Sequence, residues 1–114
     1  MSKHRIEQIN ENIHYELGEI FSREIEFPLD CLATISGVKV SEDLHWAQIW
    51  ISILPMAKRA KVLHILNKKK GFLQKLLNKR LKMKPMPHLQ FFTDFTEEKA
   101  QVIEQAIDNA VQGD

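Results

Sequence analysis

Residues 32–54 read LATISGVKVSEDLHWAQIWISIL, and their hydrophobic period is two. From Leu32 to Val40 the apolar Ala33, Ile35, Val38 and Val40 alternate with their neighbours, except for a one-residue slip at Gly37. This pattern predicts a strand with a β-bulge at the glycine. Ser41, Glu42 and Asp43 make a polar turn. Beyond it Ala47, Ile49, Ile51 and Ile53 alternate with Trp46, Gln48, Trp50 and Ser52, so a second strand turns one aliphatic face to a core. Together they predict an antiparallel hairpin, stopped at Pro55.

Upstream of the hairpin, Ile6, Ile9, Ile13, Leu17, Ile20, Phe21 and Ile25 recur every three or four residues. They form the apolar stripe of a helix from about Arg5 to Glu26, capped by Ser2 and ended before Pro28. Downstream, Val62, Ile65, Leu66, Phe72, Leu73, Leu76, Leu77 and Leu81 give helical spacing over about Ala57 to Leu81, interrupted at Gly71, where the spacing predicts a stop or a kink. Pro85 and Pro87 break the chain again. Leu89 and Phe91, alternating with His88, Gln90 and Phe92, predict a third strand. Thr96, followed by Glu97 and Glu98, opens a last helix with Ala100, Ile103, Ile107, Ala110 and Val111 on one stripe. The order α-β-β-α-(kink)-α-β-α, without repeats or linkers, predicts a single α+β domain over residues 1–114. In it a three-stranded sheet is covered by helices on one face.

The 114 residues leave room for one domain, and a 44% apolar composition is enough to build its core. A single cysteine, Cys31, excludes an intramolecular disulfide and fits a reducing, cytoplasmic compartment. No apolar run approaches the ~20 residues that span a bilayer, and the N-terminal segment has no signal or transit pattern. The net charge of +1 conceals three blocks. Residues 1–43 carry four basic and nine acidic side chains, residues 44–93 carry eleven basic and none acidic, and residues 94–114 carry one basic and six acidic. Such a dipolar chain presents a basic face to a polyanion, where the plainer alternative is a solvated lysine face. Lys68, Lys75, Lys79 and Lys82, spaced by seven, four and three, fall opposite the apolar stripe and share a helical face.

Other chemistry finds little support. The five histidines never adopt a metal-ligand spacing, no phosphate-binding G-x-x-x-x-G-K-[ST] loop exists, and Cys31 reads as a buried, inert thiol at the start of a strand. The chain therefore reads as no enzyme, with no cofactor and no small-molecule substrate. Trp46 and Trp50 share one strand face. They are expected to pair with His88 or Phe92 across the sheet, with a base-stacking platform as the alternative.

The hairpin string VKVSEDLHWAQIWIS, Val38 to Ser52, is similar to the pattern V-x-V-S-x-D-L-x-x-A-x-V-x-V-S of the ribosome-binding factor A family. PHLQFFTD, Pro87 to Asp94, resembles that family's P-x-L-x-F-x-x-D before its last helix. The isoleucine-rich first helix adds to the likeness, as does Gly71-Phe72-Leu73 before a basic helix ending in Arg80-Leu81-Lys82. These strings keep the family's order over nearly the whole chain.

The resemblance implies a K-homology fold of the second type, in which an Ala-x-Gly kink joins two helices. Lys69, Lys70 and Gly71 occupy the kink, and with a lysine at the alanine position either Lys69 points outward or the kink opens slightly. Phe27-Pro28-Leu29-Asp30 only approximates the family's D-P-R segment. The resemblance also implies a factor that binds the free 30S ribosomal subunit and its 16S rRNA, and a monomer is expected because no leftover apolar stripe demands a dimer. It would assist late subunit maturation, including processing of the 16S rRNA 5′ end, with greater need in the cold. RNA-contacting residues are then expected among Lys61, Lys68, Lys69, Lys70, Lys75, Lys79, Arg80, Lys82 and Lys84. Two other functions fit the charge pattern, a basic module that docks an acidic protein and a general single-stranded RNA chaperone.

Overall fold

In the computed structural model of the chain, which describes residues 3–94, the alternating stretch forms the expected hairpin. Strands β1 (Leu32–Val40) and β2 (Trp46–Leu54) pair antiparallel, and their register shifts between Ile35 and Gly37. Two side chains build the turn. Ser41 Oγ donates to Asp43 Oδ1 (2.6 Å) and accepts from the Trp46 N–H (3.0 Å), while Asp43 Oδ1 also accepts from the His45 N–H (3.0 Å). Leu44 is thereby held in a left-handed conformation, φ 63°, which costs a non-glycine residue about 1–2 kcal/mol. Its side chain is buried in return, and burying a leucine is favourable by about 1.5–3 kcal/mol, so the turn is stable without a glycine.

Strand β3 (His88–Asp94) lies along the other side of β2 and runs parallel to it, which gives the order β1-β2-β3. Parallel neighbours cannot be joined by a tight turn, so the chain from Pro55 to Pro87 must cross over one face. It does so as a short 3₁₀ turn (Met56–Lys58), α2 (Arg59–Lys68) and α3 (Lys70–Leu81). Helix α1 (Lys3–Glu24) covers the same face. Ile13, Leu17 and Ile20 of α1, Ala47, Ile49 and Ile51 of β2, Val62 and Leu66 of α2, and Leu73 and Leu77 of α3 are fully buried in one cluster.

The break between the helices falls at the first residue of the Lys69-Lys70-Gly71 kink that the resemblance implies, not at Gly71, where spacing alone places it. Lys69, at φ −96° and ψ 6°, is the only residue between α2 and α3, and Gly71 lies within the first turn of α3. A Cβ added to Gly71 would meet nothing within 4 Å, so no close approach requires the glycine. The ladder nearly survives the break, since Lys69 N–H donates to the Ile65 carbonyl (3.1 Å) and Leu73 N–H to that of Lys69 (2.9 Å). Glycine's low helix propensity weakens this region, but the backbone bends two residues earlier.

Helix side chains also tie down the strands. Asn10 Oδ1 accepts from the Val40 N–H (2.8 Å), and His14 Nε2 donates to the Ile35 carbonyl (3.2 Å). Gln74 donates to the Pro87 carbonyl (3.0 Å) and accepts from the Leu89 N–H (2.9 Å), spanning the start of β3. Arg80 of α3 pairs with Glu16 of α1 at 3.0 Å, and Lys58 pairs with Asp30 at 2.7 Å. Cys31 is half-buried, not buried as expected, because it precedes Leu32, the first residue with a partner on β2. Its thiol donates to the Pro28 carbonyl at 3.4 Å. The Ser2 cap and the last helix, with Thr96, Glu97, Glu98, Ala100, Ile103, Ile107, Ala110 and Val111, lie outside the described residues.

Three outcomes are expected. Leu17→Ala should lower unfolding free energy by about 2–5 kcal/mol in a denaturant titration, as core truncations do. Gly71→Ala should raise it by about 0.5–1 kcal/mol, and a loss instead would show that the bend needs the glycine. Finally, the Lys58 hydrogen bond and charge lower the Asp30 carboxyl from its ordinary 3.8, and the Ser41 hydroxyl and His45 N–H lower that of Asp43. A depressed folded value stabilises above the unfolded value and is lost as pH falls through the folded one. Asp30→Asn with Asp43→Asn should therefore flatten the acid limb of the stability profile below about pH 4, read by circular dichroism.

Candidate nucleic-acid interface

All eleven basic residues of the acid-free block lie between Lys58 and Lys84, on the crossover. The parallel β2–β3 pairing thus places them on the helical side of the sheet. Lys61 is exposed in α2, one turn beyond Lys58. Lys68, Lys69 and Lys70 cluster at the bend, with the first two exposed and the third half-buried. The Lys69 side chain points outward, its Nζ 6.0 Å from the centroid of the Phe72 ring. Lys75 and Lys79 sit one turn apart and exposed on α3. Lys82 ends that helix in a left-handed conformation (φ 50°), and exposed Lys84 leads into Pro85.

The single helical face expected for Lys68, Lys75, Lys79 and Lys82 is therefore divided. Lys75 and Lys79 share the face. Lys68 belongs to α2, before the bend, and Lys82 stands beyond the last turn of α3, because the expected spacing assumed one continuous helix. None of the eight candidate lysines has an ion-pair partner among the described residues, so their charge is available to a polyanion. Arg80 differs. Its guanidinium is committed in part to Glu16, a contact 64 residues apart in sequence that no local pattern announces.

The tryptophans pair across the sheet. Trp46 lies in register with His88, ring centroids 5.7 Å apart, and Trp50 stacks on Phe92 at 5.0 Å and 26°. Sequence reading passed over what the same register does to Lys39, Gln48 and Gln90. They align across the three strands and line an open depression of about 300 Å³ beside Trp46. Among the described residues no three His, Cys, Asp or Glu side chains gather as a metal site needs, and no helix is long and apolar enough to cross a membrane.

Comparison with known proteins agrees with this architecture. The family model for ribosome-binding factor A matches residues 5–107. A ribosome-binding factor A of Thioalkalivibrio sulfidiphilus is 34% identical over 111 residues, covering 96% of this chain and 86% of that protein. The solution structure of a candidate ribosome-binding factor A from Thermotoga maritima superposes with a TM-score of 0.71 at 27% identity, over 86% of this chain and 94% of that one. The Thermus thermophilus factor, as fitted into a cryo-electron microscopy map of a 30S complex, gives a TM-score of 0.63 at 23% identity. These coordinates cover 81% of this chain and 93% of that one, and at this identity they speak for the fold alone. The fold is K-homology-like, and the chain belongs to the ribosome-binding factor A family.

Proposed function

We propose that the protein is a non-enzymatic, monomeric, cytoplasmic assembly factor that binds the free 30S subunit and contacts 16S rRNA through the α2–α3 crossover. The observation that carries this reading is the segregation of charge. Eight lysines without ion-pair partners among the described residues are displayed on one connection that contains no acidic residue. Family membership supports the ribosomal target, and so does the 30S complex into which the Thermus relative was fitted. The contacts assigned to RNA are Lys61, Lys68, Lys69, Lys70, Lys75, Lys79, Lys82 and Lys84, with Arg80 contributing the donors that Glu16 leaves free.

Packing of α2 and α3 on the sheet makes this face rigid, so it favours the rRNA conformation whose phosphates match it. Binding shifts the rRNA equilibrium by the difference in affinity for its two conformations, and release follows once the matured shape no longer fits. To this role the family resemblance adds late maturation of the subunit, processing of the 16S 5′ end and greater need in the cold, each compatible with holding a slowly maturing RNA segment. No bond is made or broken by the factor in this scheme.

In a lysate run on low-salt gradients, the protein should sediment with free small subunits and leave them as salt rises. Spreading over all RNA, or remaining at the top of every gradient, would overturn the reading. If about six phosphates are neutralised, the log–log salt slope is about −4 to −5. Changing Lys75, Lys79 and Lys82 together to Ala should reduce the magnitude of that slope by about 2 to 3 and weaken subunit binding. The thermal melt should be unchanged, and a collapsed melt would mean that these lysines support the fold.

A further inference from the structure

The outer face of the sheet, opposite the helices, holds a second set of polar groups that the basic crossover does not use. Lys39 pairs with Gln48 and Gln48 with Gln90, so the three stand in one row across β1, β2 and β3. Trp46 occupies the next row beside Ser41, whose N–H donates to the Trp46 carbonyl at 2.9 Å. These residues line the depression of about 300 Å³, a volume at the lower end of the ~300–1,000 Å³ common for small-ligand pockets.

Its walls divide the chemistry into three parts. Trp46 offers an indole that is 46% exposed although braced by His88. The Gln48 and Gln90 carboxamides are half-buried and, among the described residues, have no hydrogen-bond partner. Each offers both donors and an acceptor, and a ligand that pairs with them recovers part of the cost of their desolvation. Lys39 supplies an exposed ammonium with no ion-pair partner among the described residues. An aromatic surface, two free carboxamides and a cation correspond to the face of a base, its polar edge and a phosphate. An acidic peptide would meet the lysine and the carboxamides, but its carboxylates and peptide groups offer no ring for the indole face. Trp50 has no part in this site, since its ring is stacked on Phe92.

We propose that this depression binds one unpaired nucleotide of RNA, its base stacked on Trp46, its polar edge on Gln48 and Gln90, and its phosphate near Lys39. The proposal rests on the RNA-binding reading above but uses the opposite face of the sheet. A single-stranded segment is held there while the crossover lysines grip phosphates elsewhere. Because a carboxamide can satisfy any base edge, stacking strength sets the preference, and purines bind better than pyrimidines.

Trp50→Phe leaves Trp46 as the sole tryptophan, and a tetranucleotide is too short to fill the lysine footprint. Titration of this variant with oligoadenylate should give saturable quenching of Trp46 emission, weaker with oligouridylate. Gln48→Ala with Gln90→Ala should weaken the binding about tenfold, and by anisotropy of a labelled oligonucleotide Trp46→Ala should do the same, as loss of one base–aromatic stack does. Adding the Lys75, Lys79 and Lys82 changes should leave the quenching intact. If the tetranucleotide never quenches while lysine-dependent subunit binding persists, the outer-face site is overturned and the function stands. Quenching that vanishes with the three lysines but ignores both glutamines overturns the site equally. Retained quenching with no lysine-dependent subunit binding overturns the function and leaves the site standing.

Discussion

Parallel pairing of β3 with β2 is the constraint from which the rest of the structure follows. A strand that runs alongside its neighbour in the same direction must be reached by a long connection over a sheet face. Here that connection is α2 and α3, whose buried Val62, Leu66, Leu73 and Leu77 hold it against the sheet. Its apolar side is thus spent on packing. The opposite side is left to solvent, and every basic residue of the central block stands on this one segment. Topology and charge distribution are in this sense a single fact. Breaking the β2–β3 pairing would scatter the lysines as well as the core.

The hairpin and the helices were legible because their signals are periodic. Alternation from Ala33 to Ile53 located the strands, and the slip at Gly37 located the bulge to within one residue. The stripe from Ile9 to Ile25 announced α1, and its members are buried. Spacing alone put the bend two residues late, at Gly71, since glycine is the visible breaker while Lys69, which actually leaves helical geometry, has no such mark. The kink over Lys69-Lys70-Gly71 implied by the resemblance did include it. The fold class itself needed little more than these patterns. The candidate site was legible in composition, as a run of lysines, but not in arrangement. A continuous period carried across the bend put Lys68 on one helix with Lys75 and Lys79, from which Lys69 separates it, and the Arg80–Glu16 pair joins residues with no common periodicity.

Charge is organised across the layers as well as along the chain. The acidic first block forms α1 and β1, and it touches the basic crossover at Glu16 with Arg80 and at Asp30 with Lys58. Both contacts are partly exposed, so each contributes little to stability. Their larger effect is on which cations stay available. Two are drawn toward acidic partners, and the lysines of the bend and of α3 are left to a polyanion. The tryptophans show a similar division of labour, with Trp50 closed against Phe92 and Trp46 left half open beside His88.

The side-chain amides and the imidazole that reach from the helices to the strands have a consequence for self-association. A three-stranded sheet has two bare edges, each a template on which another chain can add a strand. On the β1 edge, Asn10 and His14 already occupy the Val40 amide and the Ile35 carbonyl. On the β3 side, the Gln74 carboxamide takes the Pro87 carbonyl and the Leu89 amide together, much as a peptide unit of a fourth strand would. A polypeptide seeking to extend this sheet at these positions must first expel those groups, so each rim resists strand addition there although exposed aromatic side chains stand on the open sheet face.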